Sequence, residues 1–316
     1  MKAPTFLGYE REDGTVGTRN YVAVIPTVFC ANEVVADIAE GFTLCRPLLH
    51  NSGCGQLKPD LEMVTKTLIG LGLNPNVGAT LLVGLGCEST DLQAVYEGIK
   101  SGGRWVEKLT IHGSGGMTNA VEEGRRIASR MEEVLLKQKR MPHPASKIRL
   151  GVKCGSSDTT SGIAANPAAG KAVDITLDWG GSAVFGETPE FFGAEHILLK
   201  RCANDEVRQK LQRIVTQYEE RILRVGVDLR GSQPTTGNIE GGLSTIEEKA
   251  LGAIVKSGTK PIKDVLSYGE RMNDAGLYAL DSPGKESEIL TGLAAAGANV
   301  IIFTTGGGAP QGSPLV

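Results

Sequence analysis

Apolar runs of strand length, most of them stopping in a glycine turn, constrain this chain more than any other feature. They are YVAVIP (21–26), PLLH (47–50), TLLVGLG (80–86), KLTIHG (108–113), KIRLGVKCG (147–155) and NVIIFTTGGG (299–308). Helical patterns separate them: 31–41, 59–71, 117–139 and 204–225. Strand, tight turn and helix in alternation predict an α/β fold with largely parallel sheets. The expectation is two Rossmann-like domains with cysteine loops at the strand C-terminal ends, where open α/β sheets gather their ligands. KQKRMPHPASK (137–147), polar with two prolines, reads as the linker between domains at 1–140 and 147–316. VDITLDWGGSAVF (173–185) reads as one or two strands, and Ser244 with Glu247 as a capping box for a helix through Ala253.

Glycine makes up 42 of 316 residues, about twice the ordinary share of roughly 7%, so many backbone positions must be tight or must approach something closely. Three of these glycine stretches frame a cysteine: HNSGCGQ (50–56), GLGCES (84–89) and GVKCGSSD (151–158). Spacing alone leaves two readings open. Cys54, Cys87 and Cys154 are either small buried residues in tight turns or three thiolates of one metal site. The absence of CxxC pairs excludes a zinc ribbon. Cys30, Cys45 and Cys202 lack a glycine frame and read as packing residues. His50 and His112 sit at loop mouths, where a histidine serves as acid, base or ligand; His143 and His196 have no such setting. GLGCES is not a dinucleotide fingerprint, because Ser89 holds the third glycine position. For an anionic substrate the candidates are Asn238 and Ser244 in GNIEGGLSTIEEKALG, Thr304 and Thr305 ahead of the last glycines, and Arg19 before the first strand.

A formal charge of −3 and a pI near 5.9 argue against nucleic-acid and anionic-membrane partners. No apolar run reaches the roughly 18 residues of a membrane span, and MKAPTFLGYEREDGT lacks a signal-peptide core. The expected compartment is the cytoplasm, where thiols stay reduced.

Long stretches of the chain resemble the altronate/galactarate dehydratase family, which includes the β subunit of sulfolactate sulfo-lyase. They are GYEREDGTVGTRNYVAVIPTVFCAN (8–32), HNSGCGQ, GLGCES, KCGSSD, GNIEGGLSTIEEKALGAIVKSGT (237–259), DVLSYGE (264–270) and the segment from DSPG to TTGGG (281–308). The resemblance implies an iron-dependent lyase that removes water, or sulfite, from a small hydroxylated acid. It implies metal ligation by Cys54, Cys87 and Cys154, to either Fe²⁺ or an iron–sulfur cluster. His50 is then the expected acid/base, with Glu88 and Asp158 as alternatives beside the metal loops. A small SAF-type subunit and a homo-oligomer are the expected partners. The family shows TTGRG where this chain has glycine at 307, which removes an arginine from the substrate side, and the family continues past residue 316. Two other classes make different predictions. A metal-free hydrolase with a cysteine nucleophile would ignore chelators, and a scaffold subunit would bind no metal.

Overall fold

The computed structural model describes residues 4–228 and 233–316. The chain opens with β1 (Thr5–Glu10) and β2 (Val16–Gly17), an antiparallel pair. β3 (Tyr21–Pro26), β4 (Cys45–Pro47), β5 (Val77–Gly84) and β6 (Trp105–Thr110) then form a sheet in the order β4-β3-β5-β6, parallel throughout. Its connections are the helices α1 (Asn32–Ala39), α2 (Lys58–Gly72) and α3 (Leu92–Ser101), and α4 (Met117–Lys137) follows β6. Alternate strand residues face opposite sides. Val22, Val24, Leu81 and Val83 pack with Val35, Ile38 and Met131 of α1 and α4, while Ala23, Ile25 and Leu82 pack with Leu68, Leu71 and Ile99 of α2 and α3. Covered on both faces, the strands read as unbroken apolar runs.

The second sheet is also parallel. It comprises β8 (Arg149–Gly155), β9 (Ser182–Phe185), β10 (Ile262–Leu266), β11 (Gly276–Leu280) and β12 (Val300–Thr305), in the order β10-β11-β9-β8-β12. The helices of this half are α5 (Asn166–Asp178), α6 (Glu195–Lys200), α7 (Asp205–Arg224), α8 (Thr236–Glu240), α9 (Ile246–Ile254) and α10 (Glu286–Ala295). Among the described residues no helix is long and apolar enough to cross a membrane.

Four local expectations are corrected. The polar stretch 137–147 is not a free linker: β7 (Met141–Pro144) pairs with β1 as an edge strand, a position that tolerates proline because no donor is needed on the open side. Val173–Leu177 belongs to α5 rather than to a strand; Ala169, Val173 and Thr176 fall on one buried helical face, and that packing overrides β propensity. The cap of α9 is Thr245, whose hydroxyl accepts from Glu248 N at 3.1 Å, one residue beyond Ser244. Cys154 lies inside β8 and not in a loop, while Cys54 and Cys87 do follow β4 and β5.

The two sheets meet through α2 and α10. A Cβ on Gly70 of α2 would lie 2.6 Å from Ala295 O of α10, so the helices touch backbone to backbone. Three buried asparagines seal this seam. Asn74 donates to Ala294 O (2.7 Å) and Ala298 O (2.9 Å). Asn76 donates to Asn299 O (3.1 Å) and Leu315 O (2.8 Å). Asn299 donates to Val16 O (2.8 Å) and Lys147 O (3.1 Å) and accepts from Arg149 N (2.9 Å). Both helices meet near their C-termini, at the amino ends of their sheets, so the carboxyl ends of both sheets face the same side. Asn299→Ala orphans buried carbonyl and amide groups in both halves, and should lower unfolding free energy by about 2–4 kcal/mol, measured by urea denaturation.

Candidate active site at the carboxyl edges of the sheets

Loops from three adjacent strands are stitched together at the carboxyl edge of the first sheet. His50, just past β4, anchors the stitching: its Nε2 lies 2.7 Å from Pro26 O, and its Nδ1 accepts from Ser52 N at 3.1 Å. The second contact fixes the tautomer, with the proton on Nε2. Burial pushes the imidazole pKa down against the opposing pull of the Pro26 carbonyl. With both ring nitrogens engaged by backbone, the imidazole holds the loop in position.

The same loop carries Cys54. Phe29 N donates to Ser52 O (2.9 Å), tying in the turn after β3, and Ser89 N and Thr90 N donate to Gly53 O (3.0 and 3.1 Å), tying in the turn after β5. Gly53 has φ 107°, and a Cβ there would lie 2.3 Å from Thr27 O, so only glycine fits this approach. Glu88 spans the remaining gap, accepting from Thr27 Oγ1 (2.9 Å) and Gly86 N (2.6 Å). Its carboxylate therefore serves as a brace. Cys54 and Cys87 are exposed on these joined loops, and so is Cys30, on the turn after β3. Cys30 lacks a glycine frame but stands on the turn that directly follows β3.

A cleft of about 850 Å³ runs beside these loops. His50, Asn51 and Ser52 border it on one side, and Lys285, Ser287 and Thr291 of the α10 region on the other. A smaller cavity of about 260 Å³, at the end of β8, is lined by Ser157, Asp158, Asn166 and Lys249. Several predicted residues gather there. Asp158 accepts from Ser161 N (2.7 Å) and Thr160 Oγ1 (2.8 Å), which hold its carboxyl below the usual range. Asn238 donates to Ser157 O (2.8 Å) and accepts from Thr235 N and Oγ1. Thr304 bonds Asn166 Oδ1 and Lys153 O; Thr305 Oγ1 accepts from Gly308 N and Ala309 N at 2.9 Å. The Ser244 hydroxyl is bound to Glu248, which also lines this cavity. Of these, Asp158 lines the cavity, and Asn238, Thr304 and Ser244 bond residues that line it. Arg19 precedes β3 at the amino edge of the first sheet, and its Nη1 donates to Thr18 O at 3.4 Å.

Cys154 is likewise separated from Cys54 and Cys87. Its sulfur, together with Glu187 and Glu190, forms the group of possible metal ligands whose atoms lie within 4.8 Å of one another. A cation already sits there: Lys256 Nζ is 2.8 Å from Glu187 Oε2, 3.2 Å from Glu190 Oε2 and 3.2 Å from Cys154 Sγ. The thiol donates to Glu190 Oε2 at 3.0 Å, and burial, reinforced by that carboxylate, pushes its pKa far up. Burial works against the charge of Lys256, but Cys154, Glu187 and Glu190 around it hold its pKa high. Lys153, fully buried, continues the chain, 3.4 Å from Glu187 Oε1 and 3.3 Å from Glu286 Oε1. The hint for this network was a lysine within the apolar run LGVKCG. Its acidic members were not anticipated.

Residues 8–135 match the family described as D-galactarate dehydratase/Altronate hydrolase, second domain, and residues 145–316 match D-galactarate/Altronate dehydratase, C-terminal. The chain is 36% identical to the altronate dehydratase of Bacillus subtilis, over 98% of this chain and 64% of that protein. It is 40% identical to the (2R)-sulfolactate sulfo-lyase subunit beta of Chromohalobacter salexigens, over 100% and 81%. With the galactarate dehydratase (L-threo-forming) of Escherichia coli it shares 34% identity, over 99% and 63%. The chain thus spans less than two thirds of the length of these two dehydratases.

Two predictions follow from the buried charges. Lys256→Met strands two buried carboxylates and should destabilise the fold by about 3–5 kcal/mol, read from urea midpoints. Burial raises the Glu187 pKa to about 7, from an ordinary value of 4.5. The folded state therefore binds this proton more tightly than the unfolded chain, and the contribution falls as pH rises from about 4.5 to about 7, by on the order of 3 kcal/mol. The stability difference between wild type and Glu187→Gln, measured across that window, should carry this slope.

Proposed function

On the premise that the chain belongs to the D-galactarate/altronate dehydratase family, we propose that it is a lyase. It removes the β-substituent of a small hydroxylated carboxylic acid in the cleft between the two sheets, with the chain divided into domains at 1–140 and 147–316. Elimination of water from a sugar acid, giving a 2-keto-3-deoxy acid, is the first reading. Release of sulfite from a sulfolactate is the second, favoured specifically by the 40% identity to the sulfo-lyase subunit. That relative's designation as a subunit also supports a small partner chain. The reaction is placed in the cytoplasm, in keeping with free thiols.

The single observation that carries this reading is the position of the 850 Å³ cleft, bordered by the Cys54 loop on one side and the start of α10 on the other. Iron fits the thiol side: Cys54 and Cys87 are unpaired, exposed and fixed on joined loops, and thiolate donors suit it. Bound there, it would stabilise the charge that develops on the substrate carboxylate as the α-proton leaves. The chain's own groups do the rest. Lys285 offers a cation to the substrate's carboxylate, and Ser287 offers a hydroxyl to its oxygens. Glu286, one third exposed, pairs with Lys153 at 3.3 Å and ties the start of α10 to β8. His50 keeps the thiol loop in position.

The test is turnover of altronate, galactarate and sulfolactate by anaerobically purified, iron-loaded protein, alone and with a SAF-type subunit. A keto acid or sulfite should appear with at least one of them. No product from any of these acids, with or without the subunit, would overturn the proposal.

A further inference from the structure

At the amino edges of the two sheets, four arginines crowd around one carboxylate. Arg11 follows β1, Arg104 stands just before β6, Arg149 opens β8 and Arg271 precedes β11. Arg104 Nη2 is 3.2 Å from Asp13 Oδ2, and Arg271 Nη2 is 3.6 Å from the same oxygen. The two Nη2 groups also converge on Leu73 O, at 3.4 and 3.0 Å. Two guanidiniums, one from each half of the chain, therefore stand side by side on shared acceptors. Their other donors are not all used: Arg104 Nε and Nη1 and Arg271 Nε are buried and have no hydrogen-bond partner among the described residues. The Arg104 side chain is only 2% exposed. Arg11 and Arg149 differ, because backbone carbonyls engage them: Pro75 O and Arg19 O for Arg11, Gly297 O and Met272 O for Arg149.

A cavity of about 210 Å³ adjoins this cluster, and Asp13, Thr15, Lys147 and Arg149 are among its walls. Arg104 Nη2 donates to Asp13 Oδ2 and to Thr15 Oγ1 (3.1 Å), so its guanidinium stands directly behind that wall. The local charge is lopsided. Arg11, Arg104, Arg149, Arg271 and Lys147 face Asp13 and Glu12, while the cavity's other acid, Asp274, is paired with Lys263 at 3.3 Å. Burial lowers the pKa of Arg11, Arg104 and Arg149, and a neighbouring arginine lowers each further. The fold thus holds these cations together against their own repulsion. Buried charge short of a counter-charge is costly, and buried donors without acceptors add to that cost. One ligand relieves both. We propose that the Arg104–Arg271 pair and its adjoining cavity bind a tetrahedral oxyanion, phosphate, either free or as the head of a small phosphate ester. Guanidiniums present planar forks of N–H groups that match phosphate oxygens. Arg271 and Asp13, 24% and 23% exposed, leave a way in from solvent. The ion would also close the joint between the halves, since Leu73 O, shared by both arginines, adjoins Asn74 and its bonds to Ala294 O and Ala298 O. None of these arginines lines the large cleft, and the site stands whether or not the protein is a lyase.

The experiment is calorimetric titration of the full chain with inorganic phosphate and with glycerol phosphate, beside thermal unfolding in each and in chloride at matched ionic strength. Phosphate should bind, and the unfolding midpoint should climb with the logarithm of its concentration, as for any ligand of the folded state alone. Arg271→Gln should weaken binding by about 10-fold or more, the loss expected for one charge-assisted contact, and Arg104→Gln should do the same where it folds. Arg224→Gln, which removes an exposed cation of α7, should leave binding unchanged. Far-ultraviolet circular dichroism of each variant separates loss of ligand from loss of fold. Tighter binding of glycerol phosphate makes an ester the ligand of this site; equal or weaker binding makes it the free ion. No binding of either anion, a midpoint that rises as much in chloride, or full affinity in Arg271→Gln would each overturn the proposal.

Discussion

Two parallel sheets held side by side in the same direction are the constraint on which the functional edge depends. Loops at strand ends make one site only if the strands point the same way and stand at a fixed offset. Here the offset is set by the backbone-to-backbone approach of α2 and α10 at Gly70 and Ala295. Asn74, Asn76 and Asn299 set it further, by satisfying carbonyls of the opposite half. An apolar seam would tolerate sliding. Amides bonded to particular carbonyls do not, because a shift leaves buried polar groups without partners.

At the other end of the strands, the two sheets treat ionisable groups in opposite ways. The first sheet presents its thiols to solvent on braced turns. The second encloses a thiol with two lysines and two glutamates, with Glu187 in a left-handed conformation at φ 71°. Such a buried network is weak evidence for stability as such. It does fix where β8, β9 and the start of α10 stand relative to one another, since Lys153 bonds Cys154 O and pairs with residues following β9 and opening α10. Gly155 completes the arrangement: a Cβ there would lie 2.6 Å from the Lys153 ammonium.

Much of this was legible in the sequence where local physics decides. Most of the apolar runs became parallel strands, although β4 is Cys45–Pro47 and Leu48–His50 of PLLH lie beyond it; the long amphipathic patterns became α4 and α7, and HNSGCGQ and GLGCES became glycine turns at strand ends. The site was legible only in part. Glycine framing identifies turns and not the partners of a thiol: the glycines around Cys154 serve β8 and its lysine neighbour, and the two carboxylates beside its sulfur come from residues 33 and 36 positions away. Reading His50 as an acid/base required knowing what its nitrogens face, and those partners, Pro26 O and Ser52 N, come from tertiary packing. Lys256 bonds residues 66 to 102 positions away from it, and no window of sequence displays that network.

The pairing of β1 with β7 bears on how the halves find each other. Thr5–Gly8 lie against Met141–Pro144, and Ala145 N is bound to Pro4 O at 2.8 Å, so the first half is a loop closed at its own base. Only residues 146–148 separate that anchored point from the first strand of the second sheet. With so short a tether, each half meets the other at the high effective concentration of an intramolecular partner. A single proteolytic nick in those residues would turn closure of the seam into a concentration-dependent association of two chains.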